Sequence, residues 1–526
     1  MSGEIEVSGD TGGPSDSLVN DSLSFEVGRL NRTGVIHWAE LSRNTNDAEK
    51  PCRPRHARRP DRQTRMVRYC RRRRSSASDT EKVRSSTLMK AQESLYTDRY
   101  ELSMLDGALA SGLINAQATF EVFTRSLANA YRYGVVGGTG RLLDALDSFS
   151  FDDETISWLL DQHIVSNELA AFLSTYRFAG NIYGYSEGEV FTSLSPILRI
   201  EGHFCDLILE TLALSILNYD SGVATKAARV VHAAEGHRLI EMGSRRTNEV
   251  AAIAAARAAY VAGFDATSNL AAGKIYDIPT AGTVAHAFVL AHQSEREAFE
   301  AQVAAQGPGT TLLVDTFDTE AGTGLALDVA GPNLGAIRID SGDLADSTRR
   351  SRKLLDQRGA TNVKITVTGD LDEFAIARLL AADSPVDSFG VGTKLVTGYM
   401  PPGFVFKLVS IEDGATMRPV AKRSIGKMSS GGAKDAFRLF VDDVAVSELL
   451  ITRDFGIAEP PERSRALTHL LVDHGVTVVD SSLESARATA RAALAELSRG
   501  AFALTAGDPV LATEIVPRPT PARSNQ

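Results

Sequence analysis

Three stretches in the second half of the chain share one pattern, a short apolar strand running straight into a polar, glycine-bearing turn. They are AIRIDSGDL from Ala336, KITVTGDLDE from Lys364 and DSFGVGTKL from Asp387. Upstream, the spacing of apolar positions predicts a strand over 239–242, a helix over 248–262 and a strand over 312–315, and within the three stretches strands over 337–340 and 365–368. Two helices, 207–219 and 223–235, precede them. Strands alternating with helices at this interval imply a parallel sheet, and the number of units favours a closed or nearly closed barrel. The region 95–215 mixes a helix at 100–110 with strands at 119–123 and 180–185 and reads as an α/β sandwich. Alternation resumes over 404–444, as if rejoining that region, and 482–499 is an alanine-rich amphipathic helix.

The expected fold class is therefore α/β, an irregular parallel α/β barrel over 216–400 beside an α/β sandwich domain formed by N-terminal and C-terminal segments, 89–215 and 401–526. A chain of 526 residues is long enough for two domains. Its three cysteines, Cys52, Cys70 and Cys205, form no CxxC pair, too few for a disulfide framework or a zinc site. No apolar run approaches the length of a membrane span and no apolar segment of a signal peptide follows the acidic N-terminus, so a cytoplasmic location is expected.

The formal charge of -10 hides an asymmetry. Residues 1–88 are basic, with an arginine tract over 53–74 that includes Arg71 to Arg74, and they lack hydrophobic periodicity. Such a segment cannot bury enough surface to offset its ordering entropy, and disorder is expected. Dense arginine also suits nucleic acid or an anionic surface. The plainer reading is a solvated extension, or sequence upstream of a true start at Met89.

In barrel enzymes the carboxyl ends of parallel strands carry the active site. Here those turns hold Arg338, Asp340, Ser341, Asp343, Gly369, Asp370, Gly390, Gly392 and Thr393. That set suits a ligand both anionic and rich in hydroxyls: backbone amides around Gly390 to Thr393 can cradle a phosphate, and the aspartates can meet hydroxyls. With Tyr96-Thr97-Asp98-Arg99-Tyr100, EMGSRR ending at Arg246, GFDATSN from Gly263 and AGTVAHAF around His286, these motifs in order resemble the nicotinate phosphoribosyltransferase family. The resemblance runs from about Leu95 to Thr397 and beyond.

It implies condensation of nicotinate with 5-phosphoribosyl 1-pyrophosphate, coupled to ATP, giving nicotinate mononucleotide and pyrophosphate for NAD salvage. It further implies that Arg338 grips the pyridine carboxylate, with Arg245 as a further anion contact and Thr283 nearby, while Tyr100 covers the ring from across a homodimer interface. His286 would be the nucleophile that ATP phosphorylates and Asp315 the carboxylate that orients it; His292, six residues on, receives no role. Arg246 would meet pyrophosphate, Asp340 the ribose hydroxyls, and Gly369 and Asp370 the same pocket. Mg²⁺ is expected to neutralise the pyrophosphate, with Asp343 as a candidate contact through water and no direct protein ligand assigned. Two departures stand out, the arginine-rich extension and the TNEVA that follows Gly243-Ser244-Arg245-Arg246 where family members often carry glutamine and glycine.

Two alternatives remain open on the sequence. A nicotinamide phosphoribosyltransferase would share most of these motifs but would need an acceptor for an uncharged amide, for which Asp265 is the candidate. A nucleic-acid-associated protein acting through the arginine tract would use the barrel only as a scaffold.

Overall fold

A computed structural model describes residues 92–516 apart from 128–130, 423–429 and 454–460. The extension 1–88, with its arginine tract, Cys52 and Cys70, lies outside the described residues, as does Met89.

Six short strands form the sheet that carries the turns: β1 (Arg238–Glu241), β2 (Ala266–Thr267), β3 (Thr311–Leu313), β4 (Ala336–Ile339), β5 (Lys364–Val367) and β6 (Ser388–Val391). They run in the order β2-β1-β6-β5-β4-β3, and every pairing is parallel. Side-chain alternation explains the fit. In β4, Ile337 and Ile339 are fully buried, as are Ile365 and Val367 in β5 and Phe389 and Val391 in β6. The intervening residues turn the other way: Arg238, Thr311, Ala336, Lys364, Thr366 and Ser388 line one cavity of about 470 Å³. The sheet is thus curled around a space rather than a packed core. The edge strands β2 and β3 are not hydrogen-bonded to each other, so closure is incomplete among the described residues.

The segments before and after this sheet share a second one. Seven antiparallel strands run in the order Thr416–Pro419, Phe404–Asp413, Gln117–Thr124, Leu198–His203, Asn181–Gly184, His469–Asp473 and Val476–Thr477. A further four-stranded sheet joins Ser464–Ala466, Lys434–Val441, Val444–Thr452 and Ala512–Val516. Lys434 fastens it to the first: its backbone N and Nζ donate to Glu121 Oε1 and Oε2 at 2.8 and 2.7 Å, with both side chains buried.

One expectation fails. The two helices over 207–219 and 223–235 are one helix, α1 (Glu210–Ala233), entered through a 3-10 turn at Phe204–Leu209. Asp220-Ser221-Gly222 looked like a break because each of these residue types is a weak helix former. Here tertiary partners hold each in place. Asp220 accepts from Arg141 at 2.7 Å, Ser221 Oγ accepts from Gly137 N at 3.0 Å, and Gly222 lies where a Cβ would meet the Tyr399 ring at 2.6 Å. The helices over 139–148, 153–161 and 167–175 were not anticipated at all.

Candidate active site

The carboxyl ends of the parallel strands surround a cavity of about 380 Å³. Arg338 reaches it from β4 because the alternation that buries Ile337 and Ile339 turns the guanidinium inward. Its Nε donates to Thr368 Oγ1 at 2.9 Å, Nη1 to Thr283 Oγ1 at 2.8 Å and Val284 O at 3.3 Å, and Nη2 to Asp340 Oδ1 at 2.8 Å. The fork is therefore held rigidly, in part by its ion pair with Asp340. Partial burial alone would raise the Asp340 carboxyl, but hydrogen bonds from Thr368 and Arg338, with the Arg338 charge, bring it below its ordinary value. Asp340 stays ionised through the neutral range.

Across the cavity, the turn after β1 carries Ser244 and Arg245. A buried chain of hydrogen bonds fixes that turn. Glu241 accepts from Gly243 N and, at 2.5 Å, from Thr267 Oγ1; Thr267 Oγ1 accepts from Asn269 N at 2.9 Å, and Asn269 Nδ2 donates to Ser244 Oγ at 3.0 Å. Arg245 and Arg246 are exposed and their guanidiniums have no ion-pair partner among the described residues. Arg245 lines the cavity; Arg246 stands next to it, outside the lining.

His286 opens the short helix α3 (His286–Leu290) and projects into the same space. Its Nδ1 lies 3.1 Å from Thr316 Oγ1, in hydrogen-bond contact, and its Nε2 is 3.9 Å from both Asp315 Oδ1 and Asp340 Oδ2. The direct ring partner is thus Thr316, not Asp315. Asp315 is nevertheless poised: Oδ2 accepts from Asp340 N at 2.8 Å and Ser341 Oγ at 2.7 Å, while buried Oδ1 has no hydrogen-bond partner among the described residues and faces the imidazole. His292 bonds Phe288 O at 2.8 Å and takes no part.

The remaining residues fall around this centre rather than in it. Gly369 (φ +105°) follows β5, and a Cβ there would meet Asp340 O at 2.1 Å, so glycine alone lets the two turns close together. Asp370, exposed and with φ 48°, extends the same turn. Gly390 lies within β6 and pairs with Ile240, so its amide belongs to the sheet; its missing side chain makes room for Met242 and Thr368. The turn beyond the sheet pairing therefore begins at Gly392 and Thr393, against the backbone of Met242 and Gly243. Asp343 caps the helix Leu344–Gln357 by accepting from Asp346 N at 3.1 Å, which accounts for its carboxylate. Among the described residues no group of three His, Cys, Asp or Glu is placed to hold a metal.

Two placements change the sequence reading. Asp265, the candidate amide acceptor, points away: its Oδ2 accepts from Leu239 N at 2.8 Å and Oδ1 lies 3.7 Å from Arg487, so it does not line the cavity. Tyr100 sits half-exposed on the helix Arg99–Ser111 beside Glu210 and Thr211, and burial together with the Glu210 charge raises its hydroxyl pKa. It too is absent from the cavity wall. Met242, Ser244, Ser268, Thr316 and Thr368 were not anticipated.

Two guanidiniums and an imidazole flanked by two carboxylates thus meet at one cavity, beside glycine-bearing turns at adjacent strand ends, a set with the chemistry of an enzyme site. Residues 95–218 match the nicotinate phosphoribosyltransferase N-terminal domain and residues 237–452 the nicotinate phosphoribosyltransferase family. The chain belongs to the nicotinate phosphoribosyltransferase family. It is 48% identical over 437 residues to nicotinate phosphoribosyltransferase pncB1 of Mycobacterium tuberculosis, covering 80% of this chain and 95% of that one. Identity to the nicotinate phosphoribosyltransferase of Bacillus subtilis is 38%, over 66% and 73% of the two chains. The crystal structure of human nicotinic acid phosphoribosyltransferase superposes with a TM-score of 0.69 at 25% identity, covering 80% of this chain and 98% of that one. No described helix is long and apolar enough to cross a membrane.

Proposed function

We propose that this chain condenses nicotinate with 5-phosphoribosyl 1-pyrophosphate to give nicotinate mononucleotide and pyrophosphate, with ATP phosphorylating His286. The observation that carries the reading is the convergence of Arg338, Arg245, His286 and Asp340 on one cavity in a chain of this family. Arg338 and Arg245 bracket the pyridine carboxylate, a group that guanidinium donors favour. The ring nitrogen then attacks C1 of the sugar as the C1–oxygen bond to pyrophosphate breaks. Asp340, held ionised, accepts from the ribose hydroxyls and stabilises the cationic centre. Gly392 and Thr393 offer donors to the 5'-phosphate, and Arg246 meets the pyrophosphate.

Phosphoryl transfer to His286 requires a free ring nitrogen and a held one. Thr316 holds Nδ1, and Nε2 opens toward the substrates between Asp315 and Asp340. Mg²⁺ would arrive with the phosphates of the substrates. Tyr100 reaches a pyridine only if it is donated by a second copy, so the reading includes a homodimer with composite sites in the cytoplasm. The barrel segment 216–400 supplies the catalytic turns, with 89–215 and 401–526 forming the flanking domain.

Incubation with nicotinate or nicotinamide, the sugar diphosphate and Mg²⁺, with and without ATP, followed by product identification, tests the reading. Nicotinate mononucleotide should form and its yield should rise with ATP. Preferential conversion of nicotinamide would overturn it.

A further inference from the structure

A second cavity, of about 400 Å³, lies away from the catalytic turns and shares no lining residue with them. It is enclosed by the carboxyl-terminal halves of α1 and of α2 (Glu249–Ala262) and by α4 (Leu483–Ala495) with the turn that follows it. α2 begins just after the Ser244-Arg245 turn and ends in this wall, so its 14 residues separate the two sites by roughly 20 Å. The walls are apolar: Val231, Val261, Leu494 and Leu497 face the space, and Phe502 closes one end. His232 stacks on Phe502, centroids 4.1 Å apart and planes 14° from parallel. Burial lowers its pKa, so this pair forms a flat, neutral surface at pH 7.

One rim is cationic. Arg487 donates to the carbonyls of Tyr260, Phe264 and Gly263 at the end of α2, and its nearest carboxylate, that of Asp265, is 3.7 Å away. One turn further along α4, Arg491 also lines the cavity, and it has no hydrogen-bond or ion-pair partner among the described residues. No acidic side chain is among the lining residues. An apolar slot bounded by a stacked aromatic pair, with one unneutralised guanidinium at its mouth, has the makings of a small-molecule site.

We propose that this cavity binds a flat apolar molecule bearing a single carboxylate, whose ring system lies along the His232–Phe502 face and whose anion pairs with Arg491.

Calorimetric titration of the full chain with 2-naphthoate, in excess nicotinate to occupy the catalytic cavity, tests it. One naphthoate should bind per chain. Arg491→Gln should weaken it roughly tenfold, the loss of one charge-assisted hydrogen bond, and leave nicotinate turnover unchanged. The uncharged analogue 2-naphthalenemethanol should bind the parent chain about as weakly as naphthoate binds the variant, and Arg491→Gln should not alter it. Ala495→Trp, which fills the slot from an exposed position, should abolish binding of both. No naphthoate binding, binding indifferent to Arg491→Gln, or binding retained in Ala495→Trp would overturn the proposal. So would a change in molar mass by light scattering in Arg491→Glu with naphthoate affinity intact, which would make this face a contact between copies of the chain.

Discussion

Truncating Arg338 should separate the two substrates. Its guanidinium makes four hydrogen bonds and is only 12% exposed, so Arg338→Ala removes a preorganised donor rather than a mobile surface charge. Losing one hydrogen bond to a charged group costs about 1.5–3 kcal/mol, roughly 10- to 150-fold in nicotinate affinity. A second effect adds to this. Asp340, paired with Arg338 at 2.8 Å, would keep its charge and repel the pyridine carboxylate. The double variant Arg338→Ala/Asp340→Asn should therefore bind nicotinate better than the single variant. Because Asp340 is also assigned to the ribose, the comparison belongs in calorimetric titration with nicotinate alone, with nicotinamide as the uncharged control and KM values for both substrates measured in parallel. Equal losses for nicotinate and nicotinamide, equal rises in both KM values, or a double variant no better than the single one would refute the reasoning.

Other outcomes follow from the same geometry. His286→Ala should eliminate ATP hydrolysis and ATP stimulation while leaving a slow ATP-independent condensation, read by product assay with and without ATP; retained coupling would remove the histidine from its role. Thr316→Val, which takes away the partner of Nδ1, should lower the yield of phosphohistidine seen by phosphorus NMR more than it lowers ATP-independent turnover. Lys434→Met leaves Glu121 charged and buried, and should cost about 3–5 kcal/mol in denaturant unfolding. Asp220 is pushed up to about 6 by burial, against the pull of Arg141. The folded chain then holds this proton more tightly than the unfolded one, so the contribution of Asp220 to stability is greatest below about pH 4 and is lost as pH rises to about 6. Asp220→Asn should flatten that part of the curve measured by thermal unfolding between pH 4 and 7.

The strand-and-turn units at Ala336, Lys364 and Asp387 were legible because each is a short apolar run whose polar, glycine-bearing turn follows at once; Arg338, read as a turn residue, instead lies within β4 and reaches the cavity from the strand. His286 was legible through its motif. Thr316 was not, because its contact with the imidazole joins residues 30 apart and a lone threonine carries no periodic signal. Asp265 misled for the opposite reason: it lies immediately before β2, on the amino-terminal side of the strand, where its carboxylate accepts from Leu239 N, and Ser268, just after β2, lines the cavity instead. The continuity of α1 through Asp220-Ser221-Gly222 depends on Arg141, Gly137 and Tyr399, distant partners that local propensity cannot register. The hollow interior of the parallel sheet was equally hidden, since inward residues such as Ala336, Thr366 and Ser388 read as ordinary strand positions.

The strand Gln117–Thr124 is flanked by Leu198–His203 on one side and by Phe404–Asp413 on the other. During synthesis the first neighbour emerges early, whereas the second appears only after the whole catalytic segment has left the ribosome. Until then one edge of Gln117–Thr124 remains open to strands of other nascent chains, and Glu121 waits for Lys434. Expression of a fragment ending near residue 400 should therefore yield aggregate rather than a working half.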